Sequence, residues 1–150
     1  RKRTVNLPRQ LNSLIDYASV QGWTVNISKT KPSEADSVKQ EIHLRVNKDP
    51  EMMVYILLHE LGHMVTFRDP NYITRFRTLA TARMKGSYST MLYRIGRIEE
   101  ELVAWEEGFC LGNTLNVPIN YTKFDRAKTR YVTTYVKWSQ TRYTARKQQP

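Results

Sequence analysis

The longest apolar stretch of the chain, MMVYILLHELGHMVTF at residues 52 to 67, constrains the fold most. It is shorter than the ~20 residues that cross a bilayer, so no transmembrane segment is predicted from it. A helix start precedes it, because Asp49 suits the N-cap, Pro50 the first helical position and Glu51 the positive end of the helix dipole. Since this helix is apolar on nearly every side, we predict that the rest of the domain packs around it.

Three polar residues interrupt the apolar stretch in a His-Glu-x-x-His pattern. His59 and His63 are four residues apart, so on a helix their imidazoles project from one face and can bind a single zinc ion. Glu60 lies about one helical step from that face, where it can take a proton from a water molecule at the metal. Burying these groups is costly unless a metal compensates, which favours this interpretation over two ordinary core histidines. Gly62, a poor helix former, predicts close packing or access beside the histidines.

Catalytic zinc usually has three protein ligands and one open position, so the pattern predicts a third ligand elsewhere in the chain. The other histidine, His43, lies upstream. We interpret it as an ordinary residue of a strand whose edge can pair with an extended substrate. Asp69, six residues after His63, is one alternative ligand. A helix predicted at residues 95 to 115 contains three consecutive glutamates and is the preferred source.

We choose among these glutamates by projecting the predicted helix at about 100° per residue. Its apolar side chains mark a stripe that is predicted to be buried, formed by Ile98, Leu102, Trp105 and Phe109. Glu101 shares its side of the helix with small residues that would let a second helix approach closely: Ala104, Gly108 and Gly112. We therefore predict Glu101 as the third ligand, with Glu99 as the alternative on this helix. The other acids, Glu100, Glu106 and Glu107, are predicted to form a solvated charged face.

The remaining sequence predicts a small sheet and further helices. Apolar residues at spacings of three and four predict an N-terminal helix at residues 8 to 20. Alternating apolar and polar residues predict two adjacent antiparallel strands at 23 to 29 and 40 to 46. Helices are also predicted at 72 to 84 and 122 to 145, with a loop at 86 to 96. The pattern indicates an α+β fold with a predominantly helical C-terminal half.

A single domain is predicted from the length of 150 residues, and a 40% hydrophobic content is too apolar for a disordered chain. A chain of this length buries about 70% of its unfolded surface without disulfides. The single cysteine, Cys110, excludes an internal disulfide, gives no support to a cysteine-based zinc site and favours the reducing cytoplasm. The chain opens on Arg1-Lys2-Arg3 with no apolar segment behind it, so no secretory signal is expected in these residues.

Lys and Arg outnumber Asp and Glu by 24 to 14, and the excess is concentrated near the C-terminus. Residues 117 to 150 carry eight basic residues and one acid, a net charge of +7, with six interleaved aromatics. Such a segment suits nucleic acid or another polyanion, because cations meet phosphates and rings stack on bases. The alternative is that one helical stripe packs on the domain while the basic side chains face water; its members are Phe124, Ala127, Tyr131, Tyr135 and Trp138.

Two segments of the chain together resemble a known family. HELGH at residues 59–63, followed by ELVAW at 101–105, is most similar to the small gluzincin metallopeptidases of the ImmA/IrrE-like type, over roughly residues 8 to 115. In that family an N-terminal helix and short strands precede the His-Glu helix. The continuation WEEG at 105–108 departs from the family pattern. SprT-like proteases are nearer in charge, but they use a third histidine that this chain lacks.

The resemblance implies a compact zincin-like domain in which His59, His63 and Glu101 bind zinc and Glu60 is the catalytic base. The predicted function is hydrolysis of peptide bonds in a specific protein substrate. The competing hypothesis is a nucleic-acid- or protein-binding module whose zinc site is structural or catalytically inactive. Glu60 favours the enzyme, because a structural site needs no base beside its ligands, whereas the basic segment favours a binding role.

Overall fold

The computed structural model describes residues 8–88 and 90–147, without the side chains of 142–147. These residues form six helices and a three-stranded sheet, which confirms the α+β prediction. In chain order the elements are α1 (Arg9–Val20), β1 (Thr24–Ser28), β2 (Glu34–Asp36), β3 (Glu41–Arg45), α2 (Pro50–Arg68), α3 (Tyr72–Arg75), α4 (Arg77–Lys85), α5 (Met91–Thr114) and α6 (Tyr121–Lys147).

Helix α2 is the centre of the domain, as its composition predicts. The Asp49 carboxylate caps the helix by accepting a hydrogen bond from the Glu51 backbone N–H at 3.0 Å, and Pro50 occupies the first turn. Every residue from Met53 to Met64 is buried. Among the described residues, no helix combines the length and the apolar character that crossing a membrane requires.

The sheet has the order β1-β3-β2, and one part of its prediction is wrong. The two predicted strands, β1 and β3, are adjacent, but they run parallel. The segment between them supplies its own strand, β2, which pairs antiparallel with β3 and returns through Gln40 in the left-handed backbone region. Because β2 occupies one side of β3, the strand of His43 is central and has no free edge for a substrate.

The helices after α2 differ from their predicted bounds. The helix predicted at 72 to 84 is divided into α3 and α4 at Phe76, whose ring is buried. The loop predicted at 86 to 96 is too long, because α5 already begins at Met91. The Thr90 hydroxyl caps this helix by accepting a hydrogen bond from the Tyr93 backbone N–H at 3.2 Å.

The basic C-terminal helix α6 is part of the core. Its stripe of apolar and aromatic residues faces the domain, and Phe124 and Ala127 are each only 2% exposed. The Phe124 ring packs against Tyr55 of α2 and Trp105 of α5 at centroid distances of 5.4 and 5.3 Å. The predicted packing of this stripe on the domain is therefore confirmed.

Candidate metal centre

Helices α2 and α5 approach until their backbones touch. A Cβ atom added at Gly62 would lie 1.8 Å from the Ala104 carbonyl oxygen, and one at Gly108 would lie 2.2 Å from the Leu58 carbonyl oxygen. The close approach predicted from Gly62 and the small residues of α5 is confirmed. It requires glycine at both positions, and it brings Glu101 of α5 against the histidine face of α2.

The Glu101 carboxylate bridges the two predicted histidine ligands. Its Oε2 atom lies 2.8 Å from His59 Nε2, and its Oε1 atom lies 3.2 Å from His63 Nε2. The three residues are 2–6% exposed. Two ligands of a tetrahedral zinc ion with bonds of ~2.0–2.1 Å lie about 3.3 Å apart. The two distances from the Glu101 oxygens to the imidazole nitrogens are therefore close to those between ligands of one zinc ion.

Glu60 provides a second buried carboxylate in the same place. Its Oε1 atom lies 3.4 Å from His59 Nδ1, and one potential ligand atom from each of His59, Glu60 and His63 lies within 4.8 Å of the others. The buried His59-Glu60-His63 group could therefore hold a metal ion. Glu101 faces the Nε2 atoms of both histidines, whereas the contact recorded for Glu60 is to Nδ1 of His59. Glu101 is therefore the carboxylate that meets both histidines at Nε2, and Glu60 lies on the Nδ1 side of His59.

Aromatic rings fix the orientation of both imidazoles. The His59 ring stacks on Trp105 at a centroid distance of 4.5 Å and an interplanar angle of 9°. The His63 ring stacks on Phe67 at 5.8 Å. Among the described residues, neither histidine Nδ1 atom has a hydrogen-bond partner. The rings are therefore held mainly by packing, with their Nε2 atoms directed at Glu101.

The carboxylates set the protonation of this cluster. Burial alone would lower the pKa of His59, but the charges of Glu60 and Glu101 outweigh burial and raise this pKa to about 9. Burial would raise the pKa of the Glu101 carboxyl, but hydrogen bonds from His59 and His63 hold it well below its usual range. A divalent cation could replace the protons, because it would satisfy the same buried negative charge.

Glu100 is not on a solvated face, and this prediction is wrong. Its side chain is 0% exposed. Its carboxylate accepts hydrogen bonds from Arg97 at 2.5 Å, from Arg83 at 3.3 Å and from the Tyr72 hydroxyl. These partners come partly from α3 and α4, so a helical projection of α5 alone could not identify them.

The predicted apolar stripe of α5 is also mostly wrong. Trp105 is 0% exposed, but Leu102 is 36% exposed, and Ile98 and Phe109 are only partly buried. The buried face instead carries Glu101, Ala104, Gly108 and Gly112. The residues of this face are small because the α2 backbone lies too close to leave room for larger side chains.

The two alternative ligands have other surroundings. Glu99 is exposed. Asp69 ends α2, where its carboxylate accepts a hydrogen bond from the Asn71 backbone N–H at 2.9 Å and lies 3.8 Å from Arg75. Neither residue belongs to the walls of the cavity at the histidines.

A cavity of about 560 Å³ opens in front of the cluster. Residues 32–35 around β2 form one wall, and the α6 residues Tyr131, Thr134, Tyr135 and Trp138 form another. Burial and the adjacent Glu101 carboxylate raise the pKa of Tyr135, so its hydroxyl keeps its proton. Tyr131 and Tyr135 belong to the predicted packed stripe of α6, and nothing in the sequence connects them with the site. Helical periodicity shows that they share a face, and only tertiary packing shows what that face covers.

The donor set limits the chemistry of this centre. Two imidazole nitrogens and a carboxylate suit zinc, and a borderline ion of this kind accepts both ligand types. In comparisons with protein-family models, curated proteins and solved structures, nothing matched the chain. The function of this protein is therefore inferred from the residues of the site itself rather than from its fold.

Proposed function

We propose that the protein is a zinc-dependent metallopeptidase of the gluzincin type that cleaves a specific protein substrate. One observation carries the proposal: the Glu101 carboxylate meets both Nε2 atoms of the His59 and His63 pair, with Glu60 buried beside them. We further propose a cytoplasmic location, which the lone cysteine, Cys110, supports.

When bound, a zinc ion lowers the pKa of a water molecule toward ~7 and polarises a carbonyl oxygen. In the proposal, Glu60 accepts the proton of the attacking water and then donates it to the amine that leaves. The Tyr135 hydroxyl, which stays protonated, donates a hydrogen bond to the carbonyl oxygen of the scissile bond. The substrate lies in the cavity between α6 and the segment 32–35, where the outer edge of β2 can pair with an extended chain.

A binding module with a structural or inactive zinc site is the competing proposal. The two proposals differ at Glu60, because the peptidase needs this residue as its base and the binding module does not. A structural site needs no general base, so a buried carboxylate placed to accept the proton of a water molecule has a direct use only in the enzyme. The 3% exposure of Glu60 at the cavity wall therefore supports the enzyme.

The decisive experiment compares the native protein with three variants by metal analysis and by peptide cleavage. We expect about one zinc ion per chain in the native protein and in Glu60→Gln, with cleavage by the native protein but not by Glu60→Gln. Glu101→Ala should lose both zinc and cleavage, since it removes a ligand. The matched control, Glu99→Gln, changes an exposed neighbour and should keep both.

Three results would contradict the proposal. A native protein that binds no zinc after incubation with zinc salts would refute the metal centre. Retention of zinc by Glu101→Ala would refute the ligand assignment, and cleavage by Glu60→Gln at the native rate would refute the role of the base. Circular dichroism of every variant would separate these results from a failure to fold.

A further inference from the structure

The rim of the cavity on the α6 side is basic. Thr134 lines the cavity, and Arg130 and Lys137 lie four residues before it and three after it, so all three are neighbours on the helix surface. Arg126 extends the same face by one turn. The side chains of Arg126, Arg130 and Lys137 are exposed. A line of three cations therefore runs beside the opening of the proposed active site.

These cations are not neutralised by neighbouring acids. Lys123, on the same face, forms an ion pair with Glu51 at 2.6 Å. Among the described residues, Arg126, Arg130 and Lys137 have no acidic partner within 4 Å. The acid of this helix, Asp125, lies about 100° around the helix from Arg126. The positive charge of this face is therefore available to a ligand.

Arg45, at the end of β3, adds to the positive charge near the cavity. Burial and the charge of Glu60 raise the pKa of Tyr131 in the cavity wall, and both Arg130 and Arg45 oppose this rise. Arginines from two separate elements therefore act on one wall residue of the cavity. Both arginines would attract an anionic group to this side of the opening, while four glutamates line the cavity itself.

The positions of the aromatic rings argue against a nucleic acid as the ligand. Proteins that hold single strands stack bases on exposed rings beside their cations. In α6 the rings of Tyr131, Tyr135 and Trp138 line the cavity and are only half-exposed, about 130° around the helix from the cations. A cavity of about 560 Å³ also cannot admit a duplex, whereas it can admit side chains of an extended peptide.

The spacing of the cations suits an extended polypeptide. Arg130 and Lys137 are seven residues apart on a helix, a rise of about 10.5 Å. Alternate side chains of an extended chain point to the same side and recur about every 6.6 Å, so acids at alternate positions pass within reach of two cations about 10.5 Å apart. Acidic side chains near the scissile bond could therefore reach both cations while the peptide lies in the cavity.

We propose that the basic face of α6, formed by Arg126, Arg130 and Lys137, binds an acidic segment of the protein substrate next to the bond that is cleaved. This inference rests on the proposed peptidase function, and it names the substrate class of that site. It assigns substrate recognition to side chains that lie outside the metal centre.

The test measures binding to the full chain carrying Glu60→Gln, so that no probe is cleaved. Fluorescence anisotropy would compare three labelled probes: a peptide of alternating glutamate and alanine, the same peptide with glutamine for glutamate, and a DNA duplex. We expect the acidic peptide to bind most tightly, with an affinity that falls as salt is raised. Arg130→Gln combined with Lys137→Gln should weaken this binding about tenfold, a change of about 1.4 kcal/mol.

The matched control combines Lys48→Gln with Lys85→Gln, which removes the same charge from exposed positions outside the cavity wall. Equal losses in the two double variants, or equal binding of the glutamine peptide, would overturn the proposal. Tighter binding of the duplex, lost in the Arg130 and Lys137 variant, would instead assign this face to nucleic acid.

Cleavage of a neutral fluorogenic peptide by the native protein separates this inference from the proposed function. Zinc-dependent cleavage without binding of the acidic peptide would overturn the α6 surface alone. Binding of the acidic peptide by a protein that holds no zinc and cleaves neither peptide would overturn the peptidase alone.

Discussion

At the scale of single residues, three consecutive glutamates of α5 have three different environments. Glu99 is exposed, Glu100 is buried between Arg83 and Arg97, and Glu101 faces the two histidines. Their residue type and sequence context are the same. What differs is the element that packs against each side of the helix, so the chemistry of each carboxylate is decided by its neighbours.

Replacing Glu100 by alanine should destabilise the protein. The change leaves Arg83 and Arg97 without their shared carboxylate, and breaking a buried ion pair costs about 3–5 kcal/mol. Both arginine side chains are partly exposed, at 37% for Arg83 and 21% for Arg97. We therefore expect a smaller loss of stability, about 2–3 kcal/mol. Urea unfolding would measure it. The control Glu106→Ala, at an exposed position of α5, should change stability by less than about 0.5 kcal/mol.

The same cluster predicts a loss of stability at alkaline pH. Burial and the Glu100 hydrogen bond raise the pKa of Tyr72 from 10.0 to about 12. Between these values the folded protein keeps the proton that the unfolded chain has lost. The free energy of unfolding should therefore fall as pH rises from about 10 to about 12.

Urea unfolding at a series of pH values would test this dependence. The phenyl ring of Tyr72→Phe cannot ionise. The free energy of unfolding of this variant should therefore fall less between about pH 10 and pH 12 than that of the native protein. Tyr55, whose pKa is also raised to about 12, is still present in the variant, so the free energy of unfolding of the variant should still fall in part. Identical curves for the two proteins would mean that Tyr72 does not retain its proton.

At the scale of elements, the contact between α2 and α5 positions the proposed ligands. Glycines on the two helices let the backbones touch, and this contact places Glu101 within hydrogen-bonding distance of His59. Helix propensity argues against glycine in the middle of a helix. Gly62 and Gly108 are therefore explained by the close approach that the site needs.

Gly62→Ala should separate these helices. The new methyl group would lie 1.8 Å from a backbone oxygen that cannot move aside, so we expect a loss of about 3 kcal/mol or more and a loss of zinc. Chemical denaturation and metal analysis would measure the two effects. In Gly96→Ala the methyl group meets the Leu79 side chain at 3.3 Å, and helix propensity improves, so the change in stability should stay within about 1 kcal/mol. A native zinc content in Gly62→Ala would contradict this account.

At the scale of the whole molecule, α6 joins the core to the proposed active site. Its stripe begins in the core at Phe124 and continues along the cavity through Tyr131 and Tyr135. The neighbouring face, which adjoins the cavity at Thr134, carries the cations of the proposed substrate surface. One helix therefore contributes to stability, to the cavity wall and to the charge around the opening.

Phe124→Ala tests the structural part of this arrangement. The ring is 2% exposed and contacts rings from both α2 and α5, so its removal should cost about 3–5 kcal/mol. Thermal or urea unfolding would measure the loss. Thr129→Ala, at an exposed position of the same helix, should stay within about 0.5 kcal/mol of the native protein. Equal stability of the two variants would show that α6 does not belong to the core.

Local sequence patterns determined the central helix and half of the candidate site. The cap at Asp49 and the apolar composition predicted α2, and the four-residue spacing of His59 and His63 predicted that their rings share a face. These features depend on the 3.6-residue period of one helix, so they need no knowledge of distant residues. The small residues beside Glu101 also predicted its side of α5, because close approach depends on side-chain size.

Only the tertiary structure decided the direction of β1 relative to β3, the burial of Glu100 and the position of Tyr135 at the cavity. Each depends on contacts between elements that are far apart in sequence, and periodicity within one element carries no information about its partner. The bridge from His59 to Glu101 spans 42 residues. The sequence supplied the chemical groups of this site, and packing of the glycine faces of α2 and α5 brought them together.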